Sequence, residues 1–246
     1  MTYHSGYEKS AHLYDLFDTK ENIEFFLHYG SEAKEILDIG AGTGRIAFPL
    51  AEKGVNVFCV EPSPAMRRRF LKKLSARPDL LDHLCLVEGN AMSFDLGRTF
   101  PAAFLSGSFD HFLNDQERSS SLLNIARHLN PKGKLVFDVF LGFMKDSPLS
   151  PAGVVKKGNK EYRRFVGGKL LPDETGETLV VFEAYKSGKL IERVEERSLV
   201  GVIGRQKLHH LLGKTGFEVQ REFGDYDFTN FQNGHSLLII EAVKKN

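Results

Sequence analysis

The stretch Ile36-Leu37-Asp38-Ile39-Gly40-Ala41-Gly42-Thr43-Gly44 joins an apolar run, one carboxylate and three alternating glycines. Ala47, Leu50 and Ala51 follow at helical spacing, so the stretch reads as a strand, a tight turn and a helix. Glycine accepts positive φ and lets another molecule approach the backbone. Three of them, two residues apart, predict a turn with no side chains in the way, ending at a helix N-terminus whose free N–H groups face a ligand. A nucleotide-like cofactor suits such a turn.

Dinucleotide-binding domains use a similar device with the pattern G-x-G-x-x-G. Here the spacing is G-x-G-x-G, and Asp38 stands two residues before the first glycine. Val55-Asn56-Val57-Phe58-Cys59-Val60 reads as a second strand that stops at Glu61, where a carboxylate can accept both hydroxyls of a ribose. Leu84-Cys85-Leu86-Val87-Glu88 reads as a third strand, followed by Gly89-Asn90-Ala91-Met92. Ala102-Ala103-Phe104-Leu105-Ser106 and Lys134-Leu135-Val136-Phe137-Asp138-Val139 are the fourth and fifth, separated by a helix over about 116–129. Asn130-Pro131-Lys132-Gly133-Lys134 is read as the turn into the fifth strand.

In this order of motifs, residues 32–140 resemble the class I S-adenosylmethionine (SAM) dependent methyltransferases. The resemblance implies SAM as cofactor, with contacts from Asp38, Gly40, Ala41, Gly42, Gly44, Glu61, Pro62, Asn90, Ala91, Met92 and Ser106. Asp38 is expected to reach the methionine ammonium, or to tie down the glycine turn by accepting backbone N–H bonds. At the adenine position the family usually has Asp, and this chain has Asn90. Its carbonyl can accept from the adenine amino group, with the Ala91 N–H serving a ring nitrogen and Met92 packing on the ring face.

The implied fold is α/β, a Rossmann-like doubly wound sheet of seven strands, the last inserted antiparallel. Residues 1–31 form an aromatic-rich helical cap carrying Tyr3, Tyr7, Tyr14, Phe17, Phe25, Phe26 and Tyr29; residues 32–154 form the α/β core. Residues 141–158 are rich in Gly, Pro, Ser and Lys and read as loop. Three alternating segments, 161–166, 178–185 and 190–203, with Ser187-Gly188 as a hairpin turn, predict an antiparallel lid over 155–203. Residues 204–246 then supply a last helix and the two closing strands. A lid leaving the end of the fifth strand covers the ligand crevice of an open α/β sheet. A similar cap and insertion occur in the glycine N-methyltransferase-like group and the sugar N,N-dimethyltransferases, which act on small molecules. That likeness is architectural.

Bulk properties narrow the classes. Lys plus Arg number 33 against 32 Asp plus Glu, so no basic excess argues for nucleic acid. Arg67-Arg68-Arg69 with Lys72 and Lys73 interleave with Met66, Phe70, Leu71 and Leu74 and read as the solvated face of an amphipathic helix. Cys59 and Cys85 both sit in apolar strands and are expected to be buried reduced thiols, with no metal site. No apolar signal region or bilayer-length segment is seen, so no membrane partner and a cytoplasmic location are expected. Homodimer formation is left open.

Methyl transfer from a sulfonium needs alignment more than side-chain chemistry. His111 follows the fourth strand and suits a general base, or caps a loop. Asp138 orients an amine or is a buried, hydrogen-bonded carboxylate. Tyr14, with Asp15, faces cofactor or acceptor, or packs in an amphipathic helix. Arg45 approaches the cofactor carboxylate or points to solvent. Arg163, Arg164, Arg193 and Arg197 hold an anionic substrate or are charges of an exposed strand face. His209 and His210, being adjacent on a helix, face different directions and do not share a metal. The leading function is therefore methyl transfer from SAM to nitrogen or oxygen of a small molecule. A non-catalytic SAM- or nucleotide-binding module with the lid as partner surface is the alternative, and an NAD-type oxidoreductase a third. Base methylation of nucleic acid is disfavoured because Ser106-Gly107-Ser108-Phe109 replaces the aromatic proline motif.

Overall fold

A computed structural model describes residues 7–17, 20–173 and 175–246. Strands β1 (Glu35–Ile39), β2 (Asn56–Glu61), β3 (Leu84–Glu88), β4 (Phe100–Leu105), β5 (Leu129–Phe140), β10 (Phe217–Phe223) and β11 (Leu237–Lys244) form one sheet. Its order is β10-β11-β5-β4-β1-β2-β3. The first five run parallel, and β11 lies antiparallel between β5 and β10. This is the doubly wound seven-stranded sheet expected from the sequence.

Central strands of such a sheet are buried on both sides, so they are apolar without alternation. Ile36 packs into the layer with Phe25, Phe26, Leu50 and Phe104. Leu37 and Ile39 point the other way, against Leu122, Ile125, Leu208 and Leu212. Helices α2 (Lys20–Ser31), α3 (Ala47–Glu52) and α4 (Pro64–Ser75) belong to the first layer, and α5 (Asp115–Arg127) and α6 (Arg205–Lys214) to the second. The helix α1 (Ala11–Tyr14) precedes them.

The helix starts are written in the sequence. Ser63 caps α4 by accepting from Met66 N, with Pro64 at the first helical position. Asn114 caps α5 by accepting from Glu117 N at 2.9 Å.

A second sheet, β6 (Ser147–Lys157), β7 (Lys160–Leu170), β8 (Thr175–Lys186) and β9 (Lys189–Gly201), is antiparallel in sequence order. It is one strand larger than expected: residues 147–157, read as loop, are β6. Pro148, Pro151 and Gly153 mimic a loop, yet Pro is tolerated on an edge strand, and register shifts at Ser147/Ser150 and Pro151/Gly153 absorb them. The lid sheet therefore begins at Ser147, not at 155. The predicted turn 130–134 is likewise inside β5: Leu129 pairs Phe100 and Lys134 pairs Ala102, so the residues between bulge out, Lys132 at φ 62°.

Two further expectations change. Cys59 is buried, but Cys85 is exposed, because β3 is an edge strand with β2 as its one neighbour. The basic run of α4 is not simply solvated: Arg67 donates to the carbonyls of Glu61 and Pro62 and pairs with Glu88, while Arg69 and Lys73 reach Asp15. Leu71 is exposed, whereas Met66, Phe70 and Leu74 are buried. Tyr3 lies outside the described residues. Among the described residues, no helix is long and apolar enough to cross a membrane.

Candidate active site

At the C-terminal ends of β1, β2, β3 and β4 lies a cavity of about 230 Å³, lined by residues of the glycine turn, the tips of these strands, α4, α5 and the N-terminal segment. The turn is built from positive φ at Gly40 (71°), Gly42 (59°) and Gly44 (84°). The three glycines serve different ends. A Cβ on Gly40 would stand 2.3 Å from Ser108 Oγ, and one on Gly44 would stand 2.6 Å from the Phe48 ring, so these two let protein pack close. A Cβ on Gly42 would meet nothing nearer than Gly40 O at 3.9 Å, and Gly42 lines the cavity, so its bare face is turned to a ligand.

Glu61, buried at the tip of β2, fixes the turn. One carboxylate oxygen accepts from Gly42 N at 2.8 Å and the other from Ser63 N at 2.7 Å. Gly40 N and Ala41 N donate to Val60 O. The turn is thus tied by Glu61 and β2, not by Asp38 as one sequence reading had it. Burial raises the Glu61 pKa above the usual carboxylate range, and the two N–H bonds oppose the rise. Asp38 is buried behind the turn, and burial lifts its carboxyl to about 7 against the opposing charge of Arg45.

The structure brings Gly40, Gly42, Glu61, Pro62, Asn90, Ala91, Met92, Ser106, Tyr14 and His111 to the cavity wall. Asp38, Ala41, Gly44 and Asp138 are not on it. Asp138 is the hydrogen-bonded alternative: it accepts from Gly107 N at 2.6 Å and from Tyr226 Oη at 2.9 Å, joining the loop after β4 to the loop before β11. Burial raises its pKa. His111 faces the cavity, and burial lowers its pKa, so the ring is neutral at pH 7. Next to it in sequence, Asp110 accepts from Phe140 N, its other oxygen has no hydrogen-bond partner among the described residues, and burial raises its pKa to about 8.

Asn90 is used locally. Its side-chain oxygen accepts from Met92 N at 3.0 Å and Ser93 Oγ at 3.1 Å, folding the chain after β3 into a tight turn. Arg45 donates to Ser106 Oγ at 3.2 Å, as does Asn22. The lid arginines answer lid carboxylates: Arg163 pairs with Glu161, Arg193 with Glu183 and Glu195, and Arg197 with Glu177. Arg164 donates to Ala152 O. His209 bonds Glu222, and among the described residues no metal-binding cluster is found.

The N-terminal segment covers the cavity with Tyr7 and Tyr14, whose rings meet edge-on at 5.2 Å, and Tyr7 touches His111 at 6.0 Å. Asp15 holds this segment to the core through Thr43 Oγ1 of the glycine turn, Arg69 and Lys73. The lid grips it from the other side: Lys9 N donates to Glu196 at 2.6 Å, His12 meets Glu192, and Phe17 packs on Phe182. Sequence reasoning placed Tyr7 in the aromatic cap without giving it a role, and did not assign Ser63, Met66, Ser108, Phe112 and Glu117, among others, to the lining. Only Ser63-Pro64, a helix-start signal, could have marked one of them.

Comparison with known proteins agrees with this geometry. Residues 36–133 match the family model described as a methyltransferase domain. An uncharacterized methyltransferase of Bacillus cytotoxicus is 29% identical over 142 residues, 53% of this chain and 64% of the relative. The chain thus spans less than two thirds of that relative's length. Among solved structures, the CcbJ methyltransferase from Streptomyces caelestis superposes with a TM-score of 0.82 at 19% identity, covering 100% of both chains. The sugar N-methyltransferase KedS8 from a Streptoalloteichus species has a TM-score of 0.75 at 21% identity, over 100% of this chain and 97% of its own. At such identities the likeness is one of fold. Residues 36–133 are thus similar to the methyltransferase domain family, and the chain shares the Rossmann-like fold of these solved methyltransferases.

Proposed function

We propose that the protein is a SAM-dependent methyltransferase acting on nitrogen or oxygen of a small molecule. The observation that carries this reading is the chemistry of the cavity wall: the bare Gly42 face beside the buried carboxylate of Glu61, with Glu117 and, among the described residues, no Lys or Arg on the wall itself, Arg45 standing behind it on Ser106 Oγ. An acidic, partly apolar cavity suits a sulfonium cation with an adenosyl group. It does not suit a pyrophosphate, which needs cationic or N–H-rich surroundings.

When bound, SAM supplies a methyl group already activated for in-line displacement by a lone pair. The chain's own residues then have three tasks. Glu61 keeps lone pairs beyond those given to Gly42 and Ser63, which hold the ribose hydroxyls. Tyr7 and Tyr14 close the cavity against water and fix the acceptor, since orientation supplies most of the acceleration. His111, kept neutral by burial, takes the proton that an amine or hydroxyl loses as its lone pair bonds to the methyl carbon. The sugar N-methyltransferase fold neighbour supports nitrogen of a small molecule as the acceptor atom.

The test is release of S-adenosylhomocysteine from SAM with panels of amine and hydroxyl acceptors. Turnover with a small-molecule amine or alcohol is expected. Binding of SAM without turnover on any acceptor would instead leave a cofactor-binding module.

A further inference from the structure

Adenine offers one hydrogen-bond donor group, its exocyclic amine, and whatever reads it must present an acceptor. Asn90 holds the position after β3, but its side-chain oxygen is spent on Met92 N and Ser93 Oγ, and its amide NH₂ is itself a donor. Across the cavity, α5 lies against this same loop: Asn124 Nδ2 donates to Ala91 O at 3.1 Å and to Phe94 O at 3.0 Å. Glu117 is seven residues before Asn124, two helical turns away and on the same face. It lines the cavity with Asn90, Ala91 and Met92. One oxygen, Oε2, accepts from Leu113 N at 2.8 Å. The other takes no hydrogen bond from the described residues.

We propose that the free oxygen of Glu117 accepts the exocyclic amine of the bound adenosyl group, so that adenine is read from helix α5 and not from the residue after β3. The proposal rests on the SAM reading above.

Calorimetric titration compares S-adenosylhomocysteine with its 6-deamino analogue, in which hydrogen replaces the amine. Wild type is expected to prefer the amine-bearing ligand by about tenfold or more, the usual worth of a hydrogen bond to a carboxylate. In Glu117→Ala the preference falls to near one, with the deamino analogue bound as in wild type. Glu117→Gln keeps an oxygen for Leu113 N but turns its NH₂ toward the amine, so it also loses the preference while keeping the Leu113 bond; it decides the matter if the alanine variant fails to fold. A preference that survives in Glu117→Gln, or that disappears only in Asn90→Ala, overturns the proposal. Failure of wild type to bind S-adenosylhomocysteine at all would instead strike the cofactor reading.

Discussion

If Gly42 is bare for the sake of a ligand, a methyl group placed there should damage binding far more than folding, and a matched glycine elsewhere supplies the reference. Gly42 has φ 59° and Gly54, in the turn between α3 and β2, has φ 80°. A Cβ at either site meets no atom closer than 3.9 Å, so steric cost within the protein is absent from both. What remains is the left-handed backbone, about 1–2 kcal/mol for a non-glycine residue, partly offset by about 0.4–1 kcal/mol from a less flexible unfolded chain. Each alanine variant should therefore lose about 1 kcal/mol, or about 2–4 °C in Tm for a chain of this size. Binding separates them. Crowding a fitted contact costs about 1–3 kcal/mol, so Gly42→Ala should weaken S-adenosylhomocysteine about 5- to 150-fold, while Gly54→Ala leaves it unchanged. Calorimetric titration of both, with thermal melts alongside, measures the two effects. Affinity in Gly42→Ala within twofold of Gly54→Ala would refute the assignment of the cavity to the cofactor.

Three other perturbations test separate parts of the site. Glu61→Gln keeps one acceptor oxygen for the two N–H groups of Gly42 and Ser63, so one is left unmet; urea unfolding should show a loss of about 1–3 kcal/mol, and an unchanged midpoint would contradict the turn-tying role. Asp38 has its folded-state pKa near 7, above its unfolded value, so the native state holds the proton longer. Its contribution is fully present below about pH 4 and is lost as pH rises through 7. Asp38→Asn should remove that slope, gaining up to about 4 kcal/mol over wild type between those limits; parallel stability curves would count against it. His111→Gln should lower kcat toward a hydroxyl acceptor by about a hundredfold or more, with the wild-type rate levelling off at a lower pH than an ordinary imidazole would give because burial lowers the His111 pKa. A kcat equal to wild type would remove His111 from proton transfer.

The parts of the fold that could be read in the sequence are those where local chemistry and long-range packing ask for the same residue. The run 36–44 is a strand and turn on either count, and Glu61 ends a strand whose residues 57–60 are apolar. Residues 147–157 failed because Pro and Gly signal a loop locally, while pairing with β7 overrides them at a sheet edge. Gly44 shows the opposite limit: its place in the motif is plain, but only the Phe48 and Phe70 rings reveal that it serves packing. Asn90 was assigned to adenine by position, and the bonds it makes to its own neighbours were not visible at that level. Tyr7 and Glu117 stand at the cavity because neighbours of each are held across the fold, Lys9 by Glu196 and Asn124 by the loop after β3, and no local pattern singles out either residue.

The central claim is the identity of the cofactor, and isothermal titration of the folded protein with SAM, S-adenosylhomocysteine and NAD tests it directly. SAM and S-adenosylhomocysteine are expected to bind and NAD is not, since among the described residues no cationic side chain on the cavity wall holds a pyrophosphate. Binding of NAD, or of none of the three, would contradict it.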